Sequence, residues 1–218
     1  MTADYITNTT FHEGNFKFLC NEISRRDADL KFILKTFGFP PVWTRTNNFT
    51  TLIHIILEQQ VSLASARAAL NKLKQKLGTI TPQKLLALSD AELKACYFSR
   101  QKIVYARHLA EALISRQIKL KTFTTLTDDE IRIQLKQIKG IGDWTADVYL
   151  LFALQRADIF PTGDLAMMNA LREIKKLPMH TSKEEIIKLS EAWEPYRSIA
   201  SMLFWHYYIQ TRGIKLRA

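Results

Sequence analysis

Apolar residues along the chain recur at spacings of three and four, and alternating runs of β-branched residues are few. This period is typical of amphipathic helices, so the sequence predicts an all-α fold. A first clear helix is predicted from about residue 27 to residue 37, ending at Gly38. The two prolines of residues 39–41 then predict an extended link before a second helix begins near Phe49.

Polar residues interrupt the following helical stretch, residues 48–77, at positions 58–62, and a break is predicted there. Residues 1–24 are compatible with either a short helix or an arm, and they are too few for a separate β domain. Further helices are predicted to start near residues 82, 90 and 128 because proline at the first helical position and the capping-box spacing both mark helix starts. These signals are Pro82, Ser89 with Glu92, and Thr127 with Glu130.

The chain of 218 residues carries 31 Lys and Arg against 21 Asp and Glu, a net charge of +10. Clustered cations gain affinity by releasing counterions from phosphates, so nucleic acid is the leading candidate partner. A basic balance is also common on ordinary protein surfaces, and charge alone leaves that alternative open. The 47% apolar fraction is enough for the core of one globular unit or two small lobes.

Several classes of protein are disfavoured by composition. Cys20 and Cys96 match neither a disulfide framework nor a zinc site, which favours a reducing compartment. The five histidines lack paired ligand spacing, so no catalytic metal is expected. The apolar stretch at residues 148–154 has about a third of the length needed to span a bilayer. We therefore expect a soluble intracellular protein without a membrane partner, in the cytoplasm or nucleoid of a bacterium or the nucleus of a eukaryote.

Residues 135–146 have the pattern of a helix, a tight glycine turn and a second helix. Gly140 and Gly142 allow positive φ and close backbone approach, and the second helix would offer free amides to one phosphate. Ile138 and Ile141 are expected to pack the turn between the two helices. The alternative is an ordinary antiparallel helix turn with glycine caps.

Five segments, in this order, resemble the helix-hairpin-helix DNA glycosylases, in particular the 3-methyladenine DNA glycosylase II (AlkA-like) family. They are residues 39–43, 59–62, 135–146, 160–164 and 193–198. The resemblance extends from about residue 29 to residue 210, in a short form without the amino-terminal β domain. It implies a single unit of two helical lobes with a DNA-binding cleft between them. One lobe would combine the amino-terminal segment with the carboxy-terminal helices, and the other would span about residues 50–160.

The resemblance implies that Asp164, twenty-two residues after Gly142, is the catalytic carboxylate. Taken alone, Asp164 is better interpreted as the N-cap of a helix over residues 165–171. Trp144 stands where the lyase-competent members carry a lysine nucleophile, so the expected enzyme is monofunctional and leaves an abasic site. Two cysteines are too few for an iron–sulfur cluster, and no cofactor is expected.

The implied function is excision of alkylated purines, such as 3-methyladenine and 7-methylguanine, in base excision repair. The enzyme would act as a monomer on double-stranded DNA, flip the damaged base and hydrolyse the N-glycosidic bond. Two alternatives stay open. One is a glycosylase for another damaged base, and the other is a noncatalytic helix-hairpin-helix DNA-binding protein.

The same resemblance assigns the remaining site residues. Three aromatic residues would line the base pocket: Trp144, Trp205 and Tyr149. Core packing is the alternative for the two tryptophans. Gln60 would be the wedge that enters the duplex, or else a surface glutamine at a helix break. Two departures affect the pocket, because Tyr97 replaces a usual glycine and Val148 stands at the expected tyrosine position, next to Tyr149.

The hairpin is expected to contact DNA through four residues besides the wedge. These are Lys139, Gly140, Gly142 and Thr145. The resemblance also implies that backbone carbonyls hold a structural Na⁺ or K⁺ beside the bound phosphate. The carbonyls are those of Lys136, Ile138 and Ile141.

Overall fold

The computed structural model describes residues 9–178 and 180–214. Throughout these ranges the regular structure is helical, apart from one isolated antiparallel bridge between Thr10 and Arg156. The predicted all-α fold is confirmed. Among the described residues, no helix is both long and apolar enough to cross a membrane.

The described residues form twelve α-helices and two short 3₁₀ segments, the latter at Leu120–Thr124 and Glu191–Trp193. The α-helices are α1 Glu13–Arg26, α2 Ala28–Phe37, α3 Phe49–Glu58, α4 Leu63–Leu77, α5 Pro82–Leu86, α6 Asp90–Ala95, α7 Arg100–Ile114, α8 Asp128–Lys136, α9 Asp143–Phe152, α10 Leu165–Ile174, α11 Lys183–Ser190 and α12 Arg197–Thr211. The chain divides into two compact units. The central unit is Arg45–Leu154, and the terminal unit combines Met1–Thr44 with Gln155–Ala218.

In the terminal unit, α12 packs against α1, α2 and α10. Helix α12 is apolar on nearly every side, and its residues from Ser198 to His206 are all buried. A helix of this composition is stable only when other helices surround it. The core of the unit includes one large apolar side chain from each of these four helices, namely Phe16, Ile33, Leu171 and Phe204.

Asp27 joins three elements of the terminal unit. Its carboxylate caps α2 by accepting from the amides of Asp29 and Leu30, and it also accepts from Lys175 Nζ at 2.6 Å and Trp193 Nε1 at 2.8 Å. Burial works against the charged form of Asp27, but these hydrogen bonds outweigh it and lower the pKa of the carboxyl. The carboxylate therefore connects the start of α2 to Lys175, just after α10, and to Trp193, just after α11.

In the central unit, α3 lies against α4, α7 and α9, while α5 and α6 pack on α7. Eight of the ten residues of α3 are buried, in keeping with its mostly apolar sequence. The hairpin helices α8 and α9 pack against each other. Because α9 also contacts α3, the hairpin is attached to the core of this unit.

Local capping chemistry accounts for most helix starts. The capping boxes of Ser89 and Thr127 are both formed, and α5 begins at Pro82, so the three predicted starts are confirmed. Near the amino terminus, a capping box formed by His12 and Asn15 starts α1. Residues 13–26 are therefore helical, which favours the helix over the arm. Residues 1–8 lie outside the described part of the chain.

Candidate active site

Asp164 lies at the end of a turn that leads into α10. The amide of Asp164 donates to the Pro161 carbonyl at 2.9 Å, and its own carboxylate oxygen Oδ1 accepts from the Met167 amide at 2.9 Å. Asp164 is therefore the N-cap of α10, as its sequence context predicts. Its side chain is half-buried, and the next residue, Leu165, is exposed.

The indole of Trp205, on α12, holds the same carboxylate. Trp205 Nε1 donates to Asp164 Oδ1 at 2.8 Å, and the tryptophan is only 8% exposed. Two donors from different helices thus fix the orientation of the Asp164 carboxylate. The sequence predicted a place for Trp205 in a base pocket, but it did not predict this hydrogen bond to Asp164.

The predicted hairpin forms between α8 and α9, with its turn at residues 137–142. Ile138 and Ile141 are buried, in agreement with the packing role expected of them. Gly140 has a φ of +92°, and a Cβ placed on it would meet the Tyr105 ring at 2.0 Å. Only glycine fits this position, because both the backbone conformation and the neighbouring ring exclude a side chain.

The backbone conformation of Gly142 differs from the positive φ that the sequence predicted. Its φ is −103° and its ψ −172°, so this glycine does not use the left-handed region that was expected for it. A Cβ on Gly142 would have no described atom within 4 Å. The glycine thus leaves an open surface beside the start of α9, where a side chain would obstruct an approaching group.

The first turn of α9 also differs from most helix starts in this protein. Gly142 is its N-cap, and among the described residues no side chain provides a capping hydrogen bond there. Lys136 Nζ forms an ion pair with Asp143 Oδ1 at 2.5 Å, which joins the end of α8 to the start of α9. Lys139 is exposed within the turn. The pairing offsets the negative charge of Asp143 next to a helix end that attracts anions.

The predicted break between α3 and α4 is confirmed at residues 59–62. Gln60 is exposed and has a φ of +56°, a left-handed conformation that is uncommon for residues other than glycine. Val61 and Leu63, on either side of Ser62, are also exposed. The break therefore presents a short segment in which the polar Gln60 is followed by apolar side chains.

Thr145 has a different environment from the one expected of a DNA contact. It is 2% exposed, and its Oγ1 accepts a hydrogen bond from Gln59 Nε2 at 2.9 Å. The same Gln59 nitrogen donates to the Gly140 carbonyl, also at 2.9 Å. The side chain of Thr145 is thus used inside the unit, which argues against the DNA contact expected of this residue through its side chain.

The two aromatic residues of α9 that were expected in a base pocket differ in burial. Trp144 is half-buried, whereas Tyr149 is fully buried, its hydroxyl donates to Asn47 Oδ1 and its ring packs edge-on against Phe123. Burial also raises the pKa of Tyr149. Tyr149 is a core residue of the central unit, so we remove it from the expected pocket.

The carbonyls expected to hold a monovalent ion belong to the hairpin. The Ile138 carbonyl accepts from the Ile141 amide at 3.0 Å, which leaves its second lone pair for a cation. Backbone carbonyl oxygens can replace the hydration shell of a monovalent cation such as K⁺. Within the described residues, no three His, Cys, Asp or Glu side chains gather into a metal site.

Sequence reasoning overlooked three residues that support the hairpin and the break. Tyr105 packs at Gly140, Gln59 bonds the hairpin, and Lys102 Nζ donates to the Leu57 carbonyl at 2.6 Å near the end of α3. Burial lowers the pKa of Lys102. A polar glutamine pair at a helix break was a usable signal for Gln59, but nothing in the local sequence indicated the partners of Tyr105 or Lys102.

Comparison with known proteins agrees with the helical fold and with the presence of the hairpin and Asp164. The family model described as "HhH-GPD superfamily base excision DNA repair protein" matches residues 53–195. DNA-3-methyladenine glycosylase 1 of Schizosaccharomyces pombe is 34% identical over 161 residues, which cover 72% of this chain and 71% of that protein. The matched residues include both the hairpin and Asp164.

Two solved structures match over most of the chain. The S. pombe 3-methyladenine DNA glycosylase Mag1, in complex with abasic DNA, has a TM-score of 0.81 at 30% identity and covers 89% of this chain and 97% of its own. A DNA-3-methyladenine glycosidase from Bacillus halodurans has a TM-score of 0.74 at 27% identity, with 90% and 91% covered. The chain belongs to the HhH-GPD superfamily of base excision DNA repair proteins. The glycosylase family expected from the sequence is confirmed.

Proposed function

We propose that this protein is a monofunctional DNA glycosylase that excises alkylated purines, such as 3-methyladenine and 7-methylguanine, from double-stranded DNA. It acts as a monomer, with Asp164 as the catalytic carboxylate. The observation that carries the proposal is the Asp164 carboxylate held at the start of α10 by the Met167 amide and the Trp205 indole. Relatives named DNA-3-methyladenine glycosylase support the substrate class.

Alkylation at N3 or N7 gives the purine a positive charge, which makes the base a good leaving group. The bond between C1′ and the base nitrogen lengthens, its electron pair leaves with the base, and positive charge develops on the sugar. A carboxylate fixed in advance stabilises that charge without having to reorient. Asp164 meets this requirement, because its oxygen is already committed to two donors.

Water completes the reaction at C1′, and Asp164 orients it or accepts its proton. The products are the free base and an intact abasic site. Trp144 supports this course, because the second residue of α9 offers an indole instead of the amine that a Schiff base would require. Strand cleavage is therefore not part of the proposed reaction.

DNA binding is assigned to the hairpin. A phosphate approaches the start of α9 over the surface that Gly142 leaves open, with Lys139 exposed nearby. The carbonyls of Lys136, Ile138 and Ile141 would hold a monovalent cation that adds positive charge for this phosphate. Mag1, determined with abasic DNA, supports DNA as the partner.

The wedge is assigned to Gln60, which occupies the space left when the damaged nucleotide leaves the stack. Its exposed, left-handed position at the end of α3 supports this assignment. Selection of a cationic base is assigned to the faces of Trp144 and Trp205, where cation–π attraction contributes roughly 0.5–2 kcal/mol for each ring.

The decisive test is base release from methylated duplex DNA, with enzyme in excess and the freed bases separated by chromatography. We expect 3-methyladenine and 7-methylguanine to appear, the abasic strand to remain intact, and no enzyme–DNA adduct to form under borohydride. DNA binding without any base release would establish the noncatalytic alternative. Release of oxidised or deaminated bases in preference to alkylated ones would establish the other alternative.

A further inference from the structure

Gln59 lies between the hairpin and the wedge segment, defined here as residues 60–63. It ends α3, and Gln60 follows it directly. Its amide nitrogen Nε2 donates to the Gly140 carbonyl and to Thr145 Oγ1, each at 2.9 Å. Both hydrogens of this nitrogen are therefore used, one on the hairpin turn and one on the first turn of α9.

The chain before Gln59 is held firmly. Lys102 Nζ donates to the Leu57 carbonyl at 2.6 Å, and Arg45 forms a bidentate pair with Glu58 at 2.7 and 2.8 Å. The wedge segment beyond Gln59 is exposed instead. Gln59 is thus the last anchored residue before the exposed segment, and its anchor is the hairpin.

The hairpin turn is also fixed from its other neighbours. Gly140 lies so close to the Tyr105 ring that not even a Cβ fits between them, and α9 packs on α3. A displacement of the turn would therefore be transmitted through Gln59 to the end of α3. Conversely, loss of the Gln59 hydrogen bonds would allow the wedge segment to move while the turn stays in place.

We infer that Gln59 is a positioning residue that sets the register between the phosphate bound at the hairpin and the wedge Gln60. This inference rests on the proposed function. A wedge must enter the base stack at a fixed distance from the phosphate that the enzyme grips, and Gln59 is the direct polar link between the two. The role matters only where a stack exists, so it applies to duplex DNA and not to single strands.

The test compares single-turnover excision from a methylated duplex with excision from the same strand alone. Gln59→Ala removes both hydrogen bonds, and Thr145→Val removes one acceptor while it keeps the shape of the side chain. We expect duplex excision to fall by roughly tenfold to a hundredfold for Gln59→Ala, because a small misplacement has an effect of that order. Single-strand excision should stay within about twofold, which also verifies folding.

Two controls separate positioning from general damage. Thr145→Ser retains the acceptor oxygen and should preserve the duplex rate, and Gln75→Ala changes an exposed glutamine of α4 and should affect neither substrate. The double variant Gln59→Ala/Gln60→Ala should lose no more duplex activity than Gln60→Ala, because a missing wedge cannot be mispositioned further.

Equal losses on duplex and single strand would make Gln59 a merely structural residue and overturn the inference. Multiplying effects in the double variant would overturn it as well. If Gln60→Ala shows a duplex-specific loss and Gln59→Ala none, the inference fails while the proposed function stands. If Gln60→Ala leaves the duplex to single-strand ratio unchanged, the wedge assignment in the proposed function fails and Gln59 loses its positioning role with it.

Discussion

Two glycines of the hairpin should respond in opposite ways to the same added methyl group. At Gly140, the Cβ of alanine would lie 2.0 Å from the Tyr105 ring on a backbone with a φ of +92°. Overpacking of this kind costs about 1–3 kcal/mol, and the left-handed conformation adds about 1–2 kcal/mol. A chain of this size loses roughly 2–4 °C in Tm for each kcal/mol, so Gly140→Ala should lower Tm by roughly 4–20 °C.

At Gly142 the same change should leave the fold intact. The backbone is extended, at φ −103° and ψ −172°, and the new Cβ meets no described atom within 4 Å. Alanine restricts the unfolded chain but is a poorer N-cap than glycine, and because these two effects oppose each other stability should change by no more than about 1 kcal/mol. The methyl group would instead stand where the phosphate approaches. Loss of charge-assisted hydrogen bonds worth about 1.5–3 kcal/mol weakens binding roughly tenfold to a hundredfold.

Thermal unfolding and fluorescence anisotropy measure the two effects on the same preparations. The duplexes are an unmodified one and one with an abasic analogue, and Gly142→Ala should weaken binding to both alike. A large fall in Tm for Gly142→Ala, or unchanged affinity in the folded variant, would refute the assignment of this glycine to phosphate approach. A Gly140→Ala protein as stable as the wild type would refute the packing argument.

Three further outcomes are expected. Asp27→Asn should destabilise the protein by about 1.5–3 kcal/mol near neutral pH through the weakened bond to Lys175. Because folding lowers the pKa of Asp27, that stabilisation is present above about pH 4 and is lost as the pH falls through the folded-state pKa. The denaturant midpoints of the wild type and Asp27→Asn should therefore converge in acid. A gap that stays constant with pH would contradict this. Trp205→Phe removes the indole donor to Asp164 and should slow single-turnover excision about tenfold, whereas an unchanged rate would mean that this bond does not orient the carboxylate. Because Trp205 is buried, the smaller ring also leaves a cavity, so Tm should fall by a few degrees and the rate is compared at a temperature where both proteins are folded. The logarithm of DNA affinity should fall linearly with the logarithm of salt concentration, by about 0.9 for each phosphate neutralised, and a slope near zero would exclude backbone binding.

The sequence predicted those parts of the fold that depend on neighbouring residues. Serine or threonine followed three residues later by glutamate forms a capping box where it starts a helix, and Ser89 and Thr127 do so here. The hairpin and the N-cap role of Asp164 were found for the same reason. Both depend on residue types whose conformational effect is local.

Contacts between distant residues were not predictable in the same way. The partners of Gln59 lie 81 and 86 residues away, and periodicity carries no information on such pairs. Tyr149 and Val148 are adjacent on one apolar helix, so the sequence did not reveal that the tyrosine is turned into the core beside Phe123. Which hairpin glycine takes a positive φ was equally hidden, because either one suits the local pattern.

The catalytic role of Asp164 is tested most directly by Asp164→Asn. Asparagine caps a helix about as well as aspartate, so the start of α10 and the Tm should be nearly unchanged. The lost negative charge is what the developing sugar cation requires, and we predict that single-turnover release of 3-methyladenine falls at least about a hundredfold while duplex binding is retained. Near wild-type release by a folded Asp164→Asn protein would show that Asp164 is only a helix cap and would contradict the proposed chemistry.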